Sequence, residues 1–439
     1  MQPTTPSSVR AWAITILLAL FMVINFCDKA VLGIVAVPLM NELHLSPAEF
    51  GMVASSFFFL FSISAISFGF FANRIASRTL LLWCSLIWAV AQFPVALAAS
   101  VPLLFFSRIL LGAGEGPAYP LALHACYKWF PNDRRNLPSA IVFQGATCGI
   151  LISGPVLSYV LVRHGWHAAF FALGMASLVW MVLWYLIGAE GTIGSTPSRE
   201  GIDTAHVPYW TLLTDRTFIG NMALYWTTYW VFSLIFTWVP SYLRTVMHYD
   251  ANTTGWMFMF FTAFNIPMVL IGSWWSERML KKGIASVRAR GWLACGFSLF
   301  GGALILLAVY GVKQPLLKTA LLAIGCNLPQ ITFVLSSAIV AEITPDGQRS
   351  AMLSINSALA TTGGLIAPAL MGYFIGHAST HSAGYDSGFI LAGVMSVVAS
   401  LIGFYTISPE ASRRRMARHV SQTAKVTSYP RSTPMSAAE

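Results

Sequence analysis

Twelve stretches of twenty or more mainly apolar residues, separated by short polar breaks, leave this chain few ways to fold. They fall near residues 12–37, 50–71, 79–99, 102–127, 137–161 and 166–188, then 217–243, 253–275, 288–311, 315–341, 349–376 and 387–407. A helix needs about 20 apolar residues to cross the hydrocarbon core. In lipid each backbone N–H and C=O must be paired within its own segment, so the helix is the spanning unit for runs of this length. The expected fold is an all-α membrane protein, with twelve transmembrane helices in two groups of six. Composition agrees. Of the 439 residues 56% are hydrophobic and 10% charged, against about 25% charged in a soluble domain. A water-soluble enzyme, a disordered chain and a secreted disulfide scaffold are excluded. The net charge of +10 does not point to nucleic acid, because the basic residues are spread between apolar segments. The six cysteines (Cys27, Cys84, Cys126, Cys148, Cys295, Cys326) lie inside apolar runs without metal-ligand spacing, so they read as packing residues. Neither a metal nor a cofactor is expected.

The segments group into an N-terminal half over 1–188 and a C-terminal half over 216–407. A Gly-, Ser-, Thr- and Pro-containing linker, 189–215, joins them, and 408–439 forms a basic tail that is expected to be disordered. The first segment is too long for a cleaved signal peptide and holds Asp28 and Lys29. Of the 26 lysines and arginines, Lys29 and Arg108 lie inside segments, and Arg163, Arg244, Lys313 and Lys318 fall on the side opposite the termini. All the others lie on the side of the termini. That asymmetry places both termini in the cytoplasm of a cell whose inner membrane the chain spans many times.

An ion at the centre of a membrane helix costs about 2.5–3.5 kcal/mol on insertion scales, so each one calls for a function. Four occur, all in the first half: Asp28, Lys29, Arg108 and Glu115. Asp28 and Lys29 are adjacent and diverge by about 100° on a helix. They are either a mutually neutralising pair, or a titrating carboxylate beside a cation that meets an anion in a cavity. Arg108 and Glu115 are two helical turns apart on nearly one face, which allows a structural clamp or a proton-handling pair.

At these residues the chain resembles the major facilitator superfamily, and within it the organic-anion:proton permeases of the anion:cation symporter branch. Asn25 to Gly33 reads N-F-C-D-K-A-V-L-G, similar to N-Y-x-D-R-x-x-L-S. Arg108 to Pro120 reads R-I-L-L-G-A-G-E-G-P-A-Y-P, similar to R-x-L-L-G-x-x-E-(A/G)-x-x-x-P. Gly69 to Arg78, which includes Asn73 and Arg74, resembles the gating loop G-x-x-x-D-R-x-G-R-R, and Phe236 to Leu243 resembles W-L-P-x-Y-L. Three positions depart from the pattern: Lys29 for arginine, Phe26 for tyrosine and Asn73 for aspartate. The first loses the bidentate fork that grips a carboxylate, and the second removes a hydroxyl.

The resemblance implies a secondary transporter, not an enzyme, built as two pseudo-symmetric six-helix halves around a central cavity and importing a small carboxylate (sugar acid, dicarboxylate or aromatic acid) with protons by alternating access. It assigns proton coupling to Asp28 and Glu115, anion contact to Lys29, and to Arg108 the role of Glu115's partner; Arg108, once released from Glu115, is expected to bind substrate as well. A proton-driven exporter or anion exchanger and a transporter-like sensor are the other readings. Substrate in such proteins lies near the midplane between the halves. Gln144 and Asn356, each eleven or twelve residues before a proline in glycine-rich spans five and eleven, are expected to face it, with Tyr229 shaping the pocket. The expected partners are the carboxylate, protons and the bilayer, with the protein a monomer.

Overall fold

The computed structural model describes residues 8–71, 75–98, 100–130, 136–191, 207–345 and 348–427, and every regular element among them is helical. The first span is α1 (Ser8–Ile34), continued past Val35 by α2 (Ala36–Leu43). The second and third are α3 (Pro47–Phe71) and α4 (Ser77–Leu97). The fourth is divided into α5 (Val101–Glu115) and α6 (Ala118–Tyr127) at Pro117, which has no N–H to continue the ladder. Next comes α7 (Asn136–Ile187), whose 52 residues include Gly165 at φ 80° and ψ 172°. A continuous helix of that length would run about 78 Å, well over twice the core thickness. Gly165 tolerates a backbone that a side chain would strain, so α7 is two spans, the fifth and sixth, joined by a tight turn.

After α8 (Tyr209–Leu213), the seventh span consists of α9 (Arg216–Thr237) and α10 (Val239–Thr245), bent by 48°. The eighth is α11 (Ala251–Ala263) with α12 (Asn265–Lys281). A π segment, Val287–Trp292, opens the ninth, which continues as α13 (Leu293–Gly311). The tenth joins α14 (Pro315–Asn327) to α15 (Thr332–Ile343), and the last two are α16 (Arg349–His377) and α17 (His381–Thr406). Twelve spans result. Polar contacts repeat between the halves. Just past the sixth span, Glu190 accepts from the N–H groups of Ser77 (3.3 Å) and Arg78 (3.1 Å) where the third begins. Just past the twelfth, Glu410 accepts from Val287 N–H (3.2 Å) where the ninth begins. Glu190 also pairs with Lys128. Its partial burial raises its pKa, but the Lys128 and backbone hydrogen bonds outweigh this and hold it below the usual carboxylate range.

The tail departs from expectation. Residues 409–427 form α18 (Pro409–Thr427), fixed where Asp215 accepts from Ser412 Oγ (2.6 Å) and Arg415 Nη1 (3.0 Å), with Met416 buried. Its polarity reads as solvated chain, whereas its order comes from docking on the start of α9. Linker residues 192–206 and tail residues 428–439 lie outside the described residues.

The halves meet along two antiparallel pairs, α3 with α16 and α7 with α11. The first pair touches at Pro47–Gly372, Gly51–Pro368, Phe58–Gly364 and Ser62–Thr361, a seam of about 22 Å at 1.5 Å per residue. It starts at the end opposite the termini and runs to mid-span. The second pair closes at the same end, Gly154 against Gly255. Gly33 of α1 lies against the backbone of Phe236, where an added Cβ would come within 1.9 Å of the carbonyl oxygen. That end is sealed. Because a backbone carbonyl cannot rotate aside, Gly33→Ala is expected to part the halves there. In a cysteine-free background, Ala54→Cys should react with an impermeant maleimide added on that side about tenfold faster when Gly33→Ala is present. Equal rates would show that the helices yield locally without opening.

Candidate functional site

One helix supplies both signs of charge. On α1, Asp28 turns toward α4 and α5, while Lys29 turns toward α3 and the C-terminal end of α5. Asp28 Oδ1 accepts from Gln92 Nε2 (2.7 Å), and Gln92 Oε1 accepts from Arg108 Nη2 (3.2 Å). The amide is an adapter, with its donor end on the carboxylate and its acceptor end on the guanidinium. All three side chains are buried, and the Arg108 guanidinium sits 5.3 Å from the Phe170 ring in the sixth span. Lys29 Nζ donates to Asn25 Oδ1 (2.5 Å) and forms an ion pair with Glu115 Oε2, with the Phe26 ring 4.6 Å away. Asp28 Oδ2, Arg108 Nε and Glu115 Oε1 are buried without a partner among the described residues.

This corrects the expected pairing. Arg108 and Glu115 share a face of α5, but Lys29 reaches across from α1 to take the carboxylate, and Gln92 links the guanidinium to Asp28. As a neutral amide in an apolar run, Gln92 carries no charge signal in the sequence. Its spacing from Ser85, seven residues earlier on the buried face of α4, is the mark that could have found it.

A cavity of about 30 Å³ lies between the halves beside this cluster. Lys29 and Arg108 line it from the first half; Phe232, Ser233, Phe236 and Thr237 of the seventh span face them. Its volume suits about two water molecules.

The other expected residues divide. Asn356 is buried and donates to Ser336 Oγ (3.0 Å) while accepting from Asn221 Nδ2 (3.3 Å), a closed set joining spans seven, ten and eleven. The Tyr229 ring packs on Phe333 (4.9 Å) and Tyr225 (5.2 Å), near Phe232 (6.1 Å). Gln144 is exposed and does not line the cavity. In the gating loop Gly69 ends its run within α3, and Asn73 and Arg74 lie outside the described residues. Arg78 Nη2 donates to Tyr185 O (2.7 Å), tying the start of the third span to the end of the sixth.

Two six-helix halves closing over a charged cavity define the class: a multi-pass membrane carrier rather than an enzyme. The chain belongs to the Major Facilitator Superfamily, whose model matches residues 18–329 and 288–434. It is 25% identical to the hexuronate transporter of Bacillus subtilis over 414 residues, covering 90% of this chain and 94% of that one. It is also 25% identical over 418 residues to the probable sulfoacetate transporter SauU of Cupriavidus necator, covering 88% of this chain and 92% of that protein. In fold it resembles a bacterial homolog of the human lysosomal transporter Spinster in an inward-facing, occupied conformation. That likeness has a TM-score of 0.78 at 17% identity, over 93% of this chain and 99% of the other.

The Gln92 adapter generates a test. Gln92→Leu roughly keeps the volume but strands a carboxylate and a guanidinium in a dry core, which is expected to cost about 2–4 kcal/mol. A lowered apparent melting temperature in detergent would show it; an unchanged one would mean that water replaces the amide.

Proposed function

We propose that this chain is a secondary transporter importing a small organic anion together with protons across the inner membrane. One observation supports this above the others: Lys29, a cation bordering the cavity between the halves, is tied to the buried carboxylate of Glu115. An arriving carboxylate competes with Glu115 for the same ammonium. Asp28 and Glu115 balance Lys29 and Arg108, so a monovalent anion entering alone leaves one uncompensated negative charge in a dry site, at a cost of several kcal/mol. Protonating Glu115 removes that excess and frees Lys29. At least one proton then accompanies each monovalent anion. Asp28 is the second proton site and orients Arg108 through Gln92.

The relatives named for hexuronate and sulfoacetate, both anions, support an anionic cargo. The lysine and arginine asymmetry supports cytoplasmic termini. With that orientation the sealed end faces outward. In the cycle, protons load from outside when the seam between α3 and α16 is parted. The anion then bridges Lys29 and Arg108, and the halves rock closed behind it. Loss of the proton inside returns Lys29 to Glu115 and ejects the anion. Tyr229 and the closed set around Asn356 hold the opposing wall, and the loop from Gly69 to Arg78 governs closure on the cytoplasmic side. The carrier acts as a monomer and needs no cofactor.

In vesicles with an imposed proton gradient, uptake of a transported acid should collapse on adding a protonophore. Glu115→Gln should abolish accumulation while keeping counterflow; full accumulation in that variant would make the carboxylate structural. Lys29→Ala should weaken anion binding about 30-fold or more, the scale for losing a buried charged partner, as read by calorimetry on purified protein. Unchanged affinity would place the anion elsewhere.

A further inference from the structure

The cavity is charged on one side only. Lys29 and Arg108 supply the cations, and Arg108 Nε is an unpartnered buried donor. The remaining lining is largely rings: Phe57 and Phe58 from α3, Phe232 and Phe236 from α9. Each pair is already packed ring on ring, with centroids 5.0 Å apart in α3 and 4.8 Å apart in α9. Leu32 and Ala54 fill out the surface. Among the described residues only two hydroxyls border it, Ser233 and Thr237, and Ser233 Oγ donates its proton to Trp230 O (2.9 Å).

A sugar acid brings several hydroxyls, each of which loses water on entry and needs a partner. These walls cannot supply that many. A second carboxylate on the ligand would likewise meet phenylalanine rather than a cation. A flat ring, by contrast, would find aromatic faces from both halves, which favour offset or edge-on ring contacts. Phe26, whose ring lies 4.6 Å from Lys29 Nζ, adds a further apolar surface beside the ammonium.

Resting on the anion-transport reading above, we propose that the cargo is an aromatic monocarboxylate. Its carboxylate bridges Lys29 and Arg108, and its ring lies between the phenylalanines of α3 and those of α9. Phe232 and Phe236 are then the specificity-determining residues, because they come from the half that carries none of the four buried charges. Closure of the halves brings the two aromatic walls together on the ring, so recognition and the rocking motion share one set of contacts.

The test is calorimetry on the purified full-length protein with three probes: benzoate, cyclohexanecarboxylate and D-glucuronate. Benzoate is expected to bind at least about tenfold tighter than D-glucuronate, whose hydroxyls go unpaired. Phe232→Leu, which keeps an apolar side chain but removes the ring, should weaken benzoate about three- to tenfold and leave cyclohexanecarboxylate within about twofold. Phe232→Tyr, which keeps the ring, should retain benzoate and serves if the leucine variant does not fold. D-glucuronate binding as tightly as benzoate, with proton-coupled uptake, would overturn the aromatic assignment and leave the transport reading standing. Equal losses for benzoate and cyclohexanecarboxylate would also overturn it. If none of the three acids binds and none is taken up, this assignment falls together with the transport reading.

Discussion

The ion pair between Lys29 and Glu115 organises the centre of this molecule. Two opposite charges are held away from water, where neither is tolerable alone, and they come from different helices. Their attraction fixes the rotation of α1 against α5. That rotation carries Asp28 to the other side of α1, where the Gln92 amide joins it to Arg108. The four ionisable side chains thus form two sets inside one six-helix half. In the proposed cycle, any perturbation of one carboxylate changes which cation is free to meet a ligand.

The placement of those ions also determines how the halves move past one another. All four belong to the first half, and the facing wall of the cavity is aromatic and hydroxylic. Between described residues, the side-chain hydrogen bonds that cross the halves are the Ser62–Thr361 contact and the one from Ala369 N–H to Ser55 Oγ, and neither involves an ion. Separating the halves therefore breaks glycine-mediated close packing and neutral bonds, at no cost in separated charge. Each half keeps its own polar interior. In the second half, Asn221, Ser336 and Asn356 satisfy one another, and Asp215 gathers Ser412 and Arg415 at the end bearing the termini.

Much of this architecture was legible in the sequence, because the bilayer permits so few alternatives. Twelve apolar runs gave twelve spans, and the cost of intramembrane charge picked out Asp28, Lys29, Arg108 and Glu115. The pairing among them was not legible. It depends on helix rotation and on Gln92, an uncharged side chain in an apolar run. The matched placement of Gln144 and Asn356 ahead of prolines set their depth but not the direction each faces; one is exposed and the other is locked among neighbours. Nor could the aromatic wall be foreseen. With 30 phenylalanines in the chain, those bordering the cavity are distinguished only by the tertiary arrangement that sets α3 and the seventh span on opposite sides of it. The order of α18 likewise comes from a tertiary contact on a segment whose polarity reads as solvated.

The Gly165 turn exemplifies the whole end of the bundle away from the termini, where every connection between spans is five residues or fewer. Such a surface has almost no soluble relief. An antibody fragment raised to freeze one conformation for electron cryo-microscopy would find little to grip there. A fiducial mass for particle alignment belongs on the opposite pole, built against α8 and α18.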